Sequence, residues 1–277
     1  MRSALALGSL VLVFFSAAPT LGAQIVDLDR RVVSSSLVDA YQSLSKDDAV
    51  GFRSSAPGTF LQAAVGGTGV GDLTNVNAES VQETEVRFGP GEGFLIRGSG
   101  SAGVGFDVND PGYPSRAQGS ADSSLTITFE VTSPIAFTLG IALSAELPQL
   151  EVLSGEGPVD GLVAAFARLY GPTGFLLDFS IEDDDVDGLP VEETRTLSGI
   201  LVPGIYGFEV GTSTSLRGFE NSVGLGQAGF GLDFLAVPEP TSALLLGLGL
   251  AFLSRSTRSN RTHASHGSKR SRRSRQP

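Results

Sequence analysis

Cysteine and tryptophan are absent from this 277-residue chain, and its one methionine is Met1. The only histidines, His263 and His266, lie close to the C-terminus. These gaps exclude a thiol nucleophile, a disulfide framework, a Cys/His zinc site and a histidine general base in the body of the protein. Basic residues are scarce as well as segregated. Arg2 precedes the first apolar run, and eight of the 19 Lys and Arg residues follow residue 254, leaving ten against all 30 acids in residues 24–253. A body carrying a net charge of −20 repels phosphate backbones, so nucleic acid is not its partner. Charged residues make up 18% and apolar ones 41%, which suits a packed core and excludes a disordered chain. Glycine is abundant at 36 residues, about twice its usual share.

Both ends carry signals. Arg2, the apolar run Ala4 to Phe15 and the small residues Ser16 to Ala23 form the three regions of a secretory signal peptide over residues 1–23. Thr20 and Gly22 suit cleavage before Ala23, and a cut after Ala23 also fits. A cysteine-free exported protein must hold its fold by packing alone. At the other end, Val237-Pro238-Glu239-Pro240-Thr241-Ser242 leads into the apolar run Ala243 to Leu253 and then an Arg-rich tail. The uncharged stretch 241–254 covers about 21 Å as a helix, short of the ~30 Å hydrocarbon core. Its order is that of a stop-transfer device, with arginines resisting export behind it.

VPEPTS, a Leu/Gly-rich segment and a basic finish resemble the PEP-CTERM sorting signal of exopolysaccharide-producing bacteria. The resemblance implies recognition by an exosortase, a membrane-embedded protease, at Pro238, Glu239 and Pro240. These would be recognition residues for the partner and not catalytic ones. It further implies transient membrane anchorage through the C-terminal helix and delivery to the envelope, outer surface or extracellular matrix. The tail 255–277 is longer than the few basic residues usual in that signal, and the apolar segment is shorter. The expected organisation is therefore a signal peptide at 1–23, a body at 24–236, motif and apolar segment at 237–254, and the tail at 255–277.

The body alternates with period two. Leu125, Ile127, Phe129 and Val131 make one apolar face, and Ile135, Phe137, Leu139, Ile141 and Leu143 a second. Phe175 to Ile181, Tyr206 to Val210 and Phe230 to Phe234 supply three more. Such alternation predicts antiparallel sheet with one face on a core. The expected fold is all-β, an antiparallel β-sandwich of jelly-roll type. Pro203-Gly204 fits a type II turn, and Gly66-Gly67, Gly89-Pro90-Gly91 and Gly98 to Gly105 are expected to separate earlier strands. Ser36 to Asp39 has capping-box character, but its surroundings favour strand. From Ser124 onward, TITFEVTSPIAFTL, SGILVPGIY and FGLDFLAV are similar to bodies that precede this sorting signal.

Candidate chemistry is sparse. Asp183, Asp185, Asp187 and Gly188 form D-x-D-x-D-G, a spacing that suits Ca²⁺, with Glu192 and Glu193 downstream as further oxygen donors. An EF-hand is excluded, since position twelve is Thr194 and a strand, not a helix, precedes the loop. A calcium-stapled β-loop and a plain solvated acidic loop both remain open. Gly98-Ser-Gly-Ser-Ala-Gly103 lacks the helix of a nucleotide site and reads as sheet-edge glycine. Adjacent acids such as Asp47-Asp48 point apart on a strand and offer no glycosidase spacing. With four tyrosines and no tryptophan, stacking platforms for sugars are few. The composite expectation is a non-enzymatic surface or matrix protein with no required cofactor; a Ca²⁺- or polysaccharide-binding module is the alternative.

Overall fold

The computed structural model describes residues 23–40, 44–70, 74–89, 93–109, 115–153, 159–183, 189–219 and 221–238. Twelve strands occupy them: β1 (Ala23–Ala40), β2 (Leu44–Ser54), β3 (Gly58–Val70), β4 (Thr74–Gly89), β5 (Gly93–Val108), β6 (Arg116–Val131), β7 (Ile135–Val152), β8 (Asp160–Gly171), β9 (Gly174–Asp183), β10 (Val191–Leu201), β11 (Gly204–Phe219) and β12 (Ser222–Pro238). They form two six-stranded antiparallel sheets, β2-β1-β6-β11-β8-β9 and β10-β7-β12-β5-β4-β3. The expected all-β sandwich is therefore the observed one. The last eight strands are a jelly roll: in sequence they nest as β5 with β12, β6 with β11, β7 with β10 and β8 with β9. The nested order alternates between sheets, giving β10-β7-β12-β5 in one and β9-β8-β11-β6 in the other. Strands β1 and β2 extend one sheet beyond β6, and β3 and β4 extend the other beyond β5.

The alternating faces are seated as the sequence suggests. Leu125, Ile127, Phe129 and Val131 on β6 are buried against Ile135, Phe137, Leu139, Ile141 and Leu143 of β7 and Phe230, Leu232 and Phe234 of β12 in one continuous core. Rings gather at one end. Phe94 lies edge-on to Phe234 at 4.8 Å, Phe208 to Phe234 at 5.6 Å, and Phe129 stacks on Tyr206 at 5.6 Å. Each such pair is worth about 0.5–1.5 kcal/mol beyond its buried area. The Tyr206 hydroxyl donates to the Val202 carbonyl at 2.9 Å, tying the β10–β11 turn to this aromatic cluster. A smaller cluster, Val32, Phe60 and Ala64, packs between β1 and β3. Across the intervening polar seam, Thr214 donates to the Ala102 carbonyl (3.0 Å) and Ser123 to that of Val81 (3.2 Å), joining the sheets.

Several local expectations change. Gly66-Gly67 and Gly98 to Gly105 lie inside β3 and β5 and do not separate strands. β5 is also central, flanked by β12 and β4, so its glycines are not at a sheet edge. Their reason is packing: a Cβ at Gly100 would collide with the Phe230 ring and the Ser123 hydroxyl. Gly98 takes φ +147° directly over the Glu83 carbonyl, where no Cβ fits. Gly204 has φ +155°, far from the roughly +80° of a type II turn, and already opens β11. Ser36 to Asp39 are strand, within β1. Phe175 is exposed beside Tyr170 and is not a core residue; on β9 Phe179 and Ile181 are buried in the core and Leu177 packs against it, partly buried.

Candidate functional site

Parity of the strand count places the two ends of the body. Every neighbour pair is antiparallel and each connection reverses the chain, so twelve strands return it to the pole where it began. At that pole Ala23 pairs with Val131 and Pro238 pairs with Ile135, and only residues 132–134 separate those partners. Ala23 is buried in the core and opens β1. At the far end β12 runs two residues past the expected limit of 236 and ends at Pro238, the first residue of Pro-Glu-Pro. Gly22, Glu239 and Pro240 lie outside the described residues, as do the apolar segment and the tail.

The acidic candidates are dispersed. Asp183 closes β9 and is buried, and its carboxylate accepts the Leu147 amide at 2.8 Å, which anchors the end of β9 to β7 in the opposite sheet. Asp185 and Asp187 lie outside the described residues. On β10, Glu192 pairs with Ser144 and Glu193 with Leu143, so the two carboxylates stand on opposite faces of the strand. Glu193 is ion-paired to Arg195, whose guanidinium lies 4.9 Å from the centre of the Phe179 ring. Glu192 lines a shallow groove of about 490 Å³ with Glu79, Glu146, Ser101, Ser144 and Gln227. Gln227 donates to Glu146 at 2.7 Å. Among the described residues no three His, Cys, Asp or Glu side chains stand close enough together to hold a metal ion.

A second groove, about 650 Å³, contains Glu83, Glu85, Arg97 and Asp233. Glu85 is paired to both Arg87 and Arg97. Burial alone would raise its pKa, but the hydrogen bonds and charges of the two arginines outweigh that, and the net shift is downward. Such a carboxylate stays ionised and is unsuited to donating a proton at neutral pH. Of the tyrosines, Tyr206 is buried and Tyr170 donates to Glu209 at 3.3 Å; Tyr41 and Tyr113 lie outside the described residues.

One feature escaped the sequence reading altogether. Arg30 is 1% exposed and has its guanidinium among backbone carbonyls, donating to Gly58 O at 2.9 Å and to Ala56 O. It also lies 5.0 Å from the centre of the Phe60 ring. This arginine ties down the corner where the chain crosses from β2 to β3, that is, from one sheet to the other. A buried position in the alternation of β1, where Leu28 and Val32 are also buried, is the signal that singles it out from Arg31.

The fold and its termini thus define a jelly-roll sandwich whose final strand runs straight into a C-terminal signal. Residues 236–259 match the family model for the PEP-CTERM protein-sorting motif. The chain carries that motif, and with it the mark of an exported protein sorted to the cell surface by an exosortase. No curated protein matches the chain. A solved structure described as "Structure of infectious bursal disease virus Gx strain" shares 10% identity over 86% of this chain and 74% of that one, with a TM-score of 0.16. The fold assignment rests on strand order and register.

Proposed function

We propose that this protein is a structural or adhesive component of the cell surface or exopolysaccharide matrix, without catalytic activity of its own. Its C-terminal apolar segment holds it in the membrane until an exosortase cuts near Pro238-Glu239-Pro240. The observation that carries this reading is the match of residues 236–259 to the sorting-motif model, at the point in the chain that β12 reaches with Pro238. Carboxylates committed to arginines (Asp29, Glu85) or to a backbone amide (Asp183) support a non-catalytic body.

Fractionation of the native host tests the reading. Truncated protein should be recovered with the extracellular polysaccharide and released when that polymer is digested. Recovery from the cytoplasm or as free periplasmic protein contradicts it, and so does glycan or ester turnover that survives rigorous purification. Ca²⁺ binding is the second reading, and calorimetry of wild type against an Asp183→Ala, Asp185→Ala, Asp187→Ala triple variant decides it. A wild-type signal abolished in the variant supports a loop site, whereas a signal that persists removes it.

A further inference from the structure

We propose that the free edge of β3 is a self-association surface. Over residues 59–65 it pairs antiparallel with the same segment of a second copy of this chain, joining two six-stranded sheets into one.

The two sheets leave four edge strands, β2 and β9 in one sheet and β10 and β3 in the other. An exposed edge invites strand addition, and charged residues on it are the usual guard. β2 carries Lys46, Asp47, Asp48 and Arg53, and β9 carries Asp178, Glu182 and Asp183. β10 carries Glu192, Glu193 and Arg195, the last of which lies over the Phe179 ring. β3 has 13 residues, and none of them is charged or proline. Exposed apolar side chains occur on several strands, but of the four edges β3 alone is uncharged.

The backbone of β3 shows which part of this edge is open. In an antiparallel ladder, alternate residues direct both N–H and C=O to the same side. The Gly67 N–H donates to the Asp48 carboxylate of β2 at 3.2 Å, and the Gly69 carbonyl accepts from Lys46 at 3.1 Å. The register with β4 is unbroken from Gly58 to Val70, so all the odd-numbered residues of β3 face away from β4. Side chains of β2 thus close the edge at Gly67 and Gly69. The edge-facing groups of Leu61, Ala63 and Val65 have no partner among the described residues. Beside Thr59, Leu61 and Gln62 a shallow groove of about 440 Å³ opens against Phe52 and Ser54 of β2, which is room for an incoming strand.

A second copy supplies a strand that matches. With Gln62 on a twofold axis, Thr59 stands opposite the partner's Val65 and Leu61 opposite the partner's Ala63. Edge-facing residues then meet edge-facing residues, and Gly67 keeps its bond to Asp48. The same residues carry the outer-face side chains, and Leu61 and Val65 are each 61% exposed. In this register each Leu61 gains the partner's Leu61 and the partner's Val65 as diagonal neighbours. On β4, Glu83 stands opposite Leu61 and Glu79 opposite Val65. In the joined sheet the two β4 strands lie three strand spacings apart, about 14 Å, which exceeds the ~8 Å screening length at physiological salt. A twofold pairing uses the edge of both copies and closes, so it gives a dimer and not a fibre.

Sedimentation of the full-length chain in mild detergent tests this. The expected result is a dimer at physiological salt that weakens as salt is lowered. Leu61→Lys places a charge on the edge beside Glu83, and Ala63→Pro removes only an edge-facing N–H. Each should give monomer with a wild-type circular-dichroism spectrum. Because the chain has no cysteine, introduced thiols report the contact cleanly. In the dimer the two copies of residue 63 are diagonal neighbours about 7–8 Å apart, so Ala63→Cys chains should be joined by a short bismaleimide. Thr194→Cys, on the charged edge of β10, should not. A wild type that stays monomeric at high protein concentration overturns the proposal, as does a dimer that survives both substitutions or crosslinks equally at 63 and 194. Should Ala63→Pro fail to fold, a dimer that persists in Leu61→Lys overturns it alone.

Discussion

Arg30 and Arg31 are neighbours of one type with opposite environments, and replacing each by methionine should separate them sharply. Arg31 is half exposed and pairs with Asp29 at 2.5 Å, a surface ion pair worth about 0–1 kcal/mol. Arg30→Met removes the charge-assisted hydrogen bonds to the part-buried carbonyls of Ala56 and Gly58 at the sheet-crossing corner, worth about 1.5–3 kcal/mol apiece. Burial lowers the pKa of Arg30, so holding the cation there has a cost that methionine removes. The relief offsets part of the loss and leaves a net of about 2–3 kcal/mol. In a body of this size ~1 kcal/mol moves Tm by about 2–4 °C, so the variant should melt about 4–12 °C below wild type. Thermal melts followed by circular dichroism measure it. Wild-type melting of Arg30→Met, or an equal loss from Arg31→Met, would refute the assignment of Arg30 as the corner's fastening.

Other perturbations follow from the same geometry. Burial tends to raise the pKa of Asp29, but hydrogen bonds from Arg31 and Arg53 more than reverse it, and Glu85 is lowered in the same way by Arg87 and Arg97. Groups whose folded pKa is depressed contribute stability above the ordinary carboxylate range and lose it as pH falls through the folded value. Melting temperature should therefore decline below about pH 4, and less steeply in an Asp29→Asn, Glu85→Gln variant; parallel acid limbs would contradict this. Gly100→Val drives a side chain into Phe230 and should cost at least about 1–3 kcal/mol, whereas Gly103→Ala, whose Cβ would make only ordinary contacts with Gly226 and Gln227, should change the denaturation midpoint little. Equal effects of the two substitutions would show that the inner face of β5 is not close-packed. Glu239→Ala should leave an uncut, membrane-retained form on immunoblots of host membranes; wild-type processing would remove Glu239 from the recognition set.

Strands with strong alternation were legible because burial on one face demands it. Leu125 to Val131 and Ile135 to Leu143 fill the core as their period-two pattern implies. Strands β3 and β5 were harder, because glycine there meets close neighbours, Asn77 at Gly67 and the Phe230 ring at Gly100, and so resembles a turn signal. β10 was hidden for another reason: it is an edge strand with nearly all its residues exposed, so no apolar face marks it. The nesting of eight strands into a jelly roll depends on pairings far apart in sequence, which local patterning does not encode. Of the site, Pro238-Glu239-Pro240 was legible as a motif with its flanks. The dispersal of Asp183, Glu192 and Glu193 was not, since it depends on which sheet each strand joins.

The central claim is that a closed sandwich is delivered outside the cell and freed of everything beyond its last strand. Intact mass spectrometry of the protein from the native host's extracellular fraction tests this most directly. The account predicts a chain beginning at Ala23, whose strand pairing with Val131 a later cut would forfeit, and ending in the neighbourhood of Pro240. Extracellular protein still carrying Arg255 to Pro277 would contradict it.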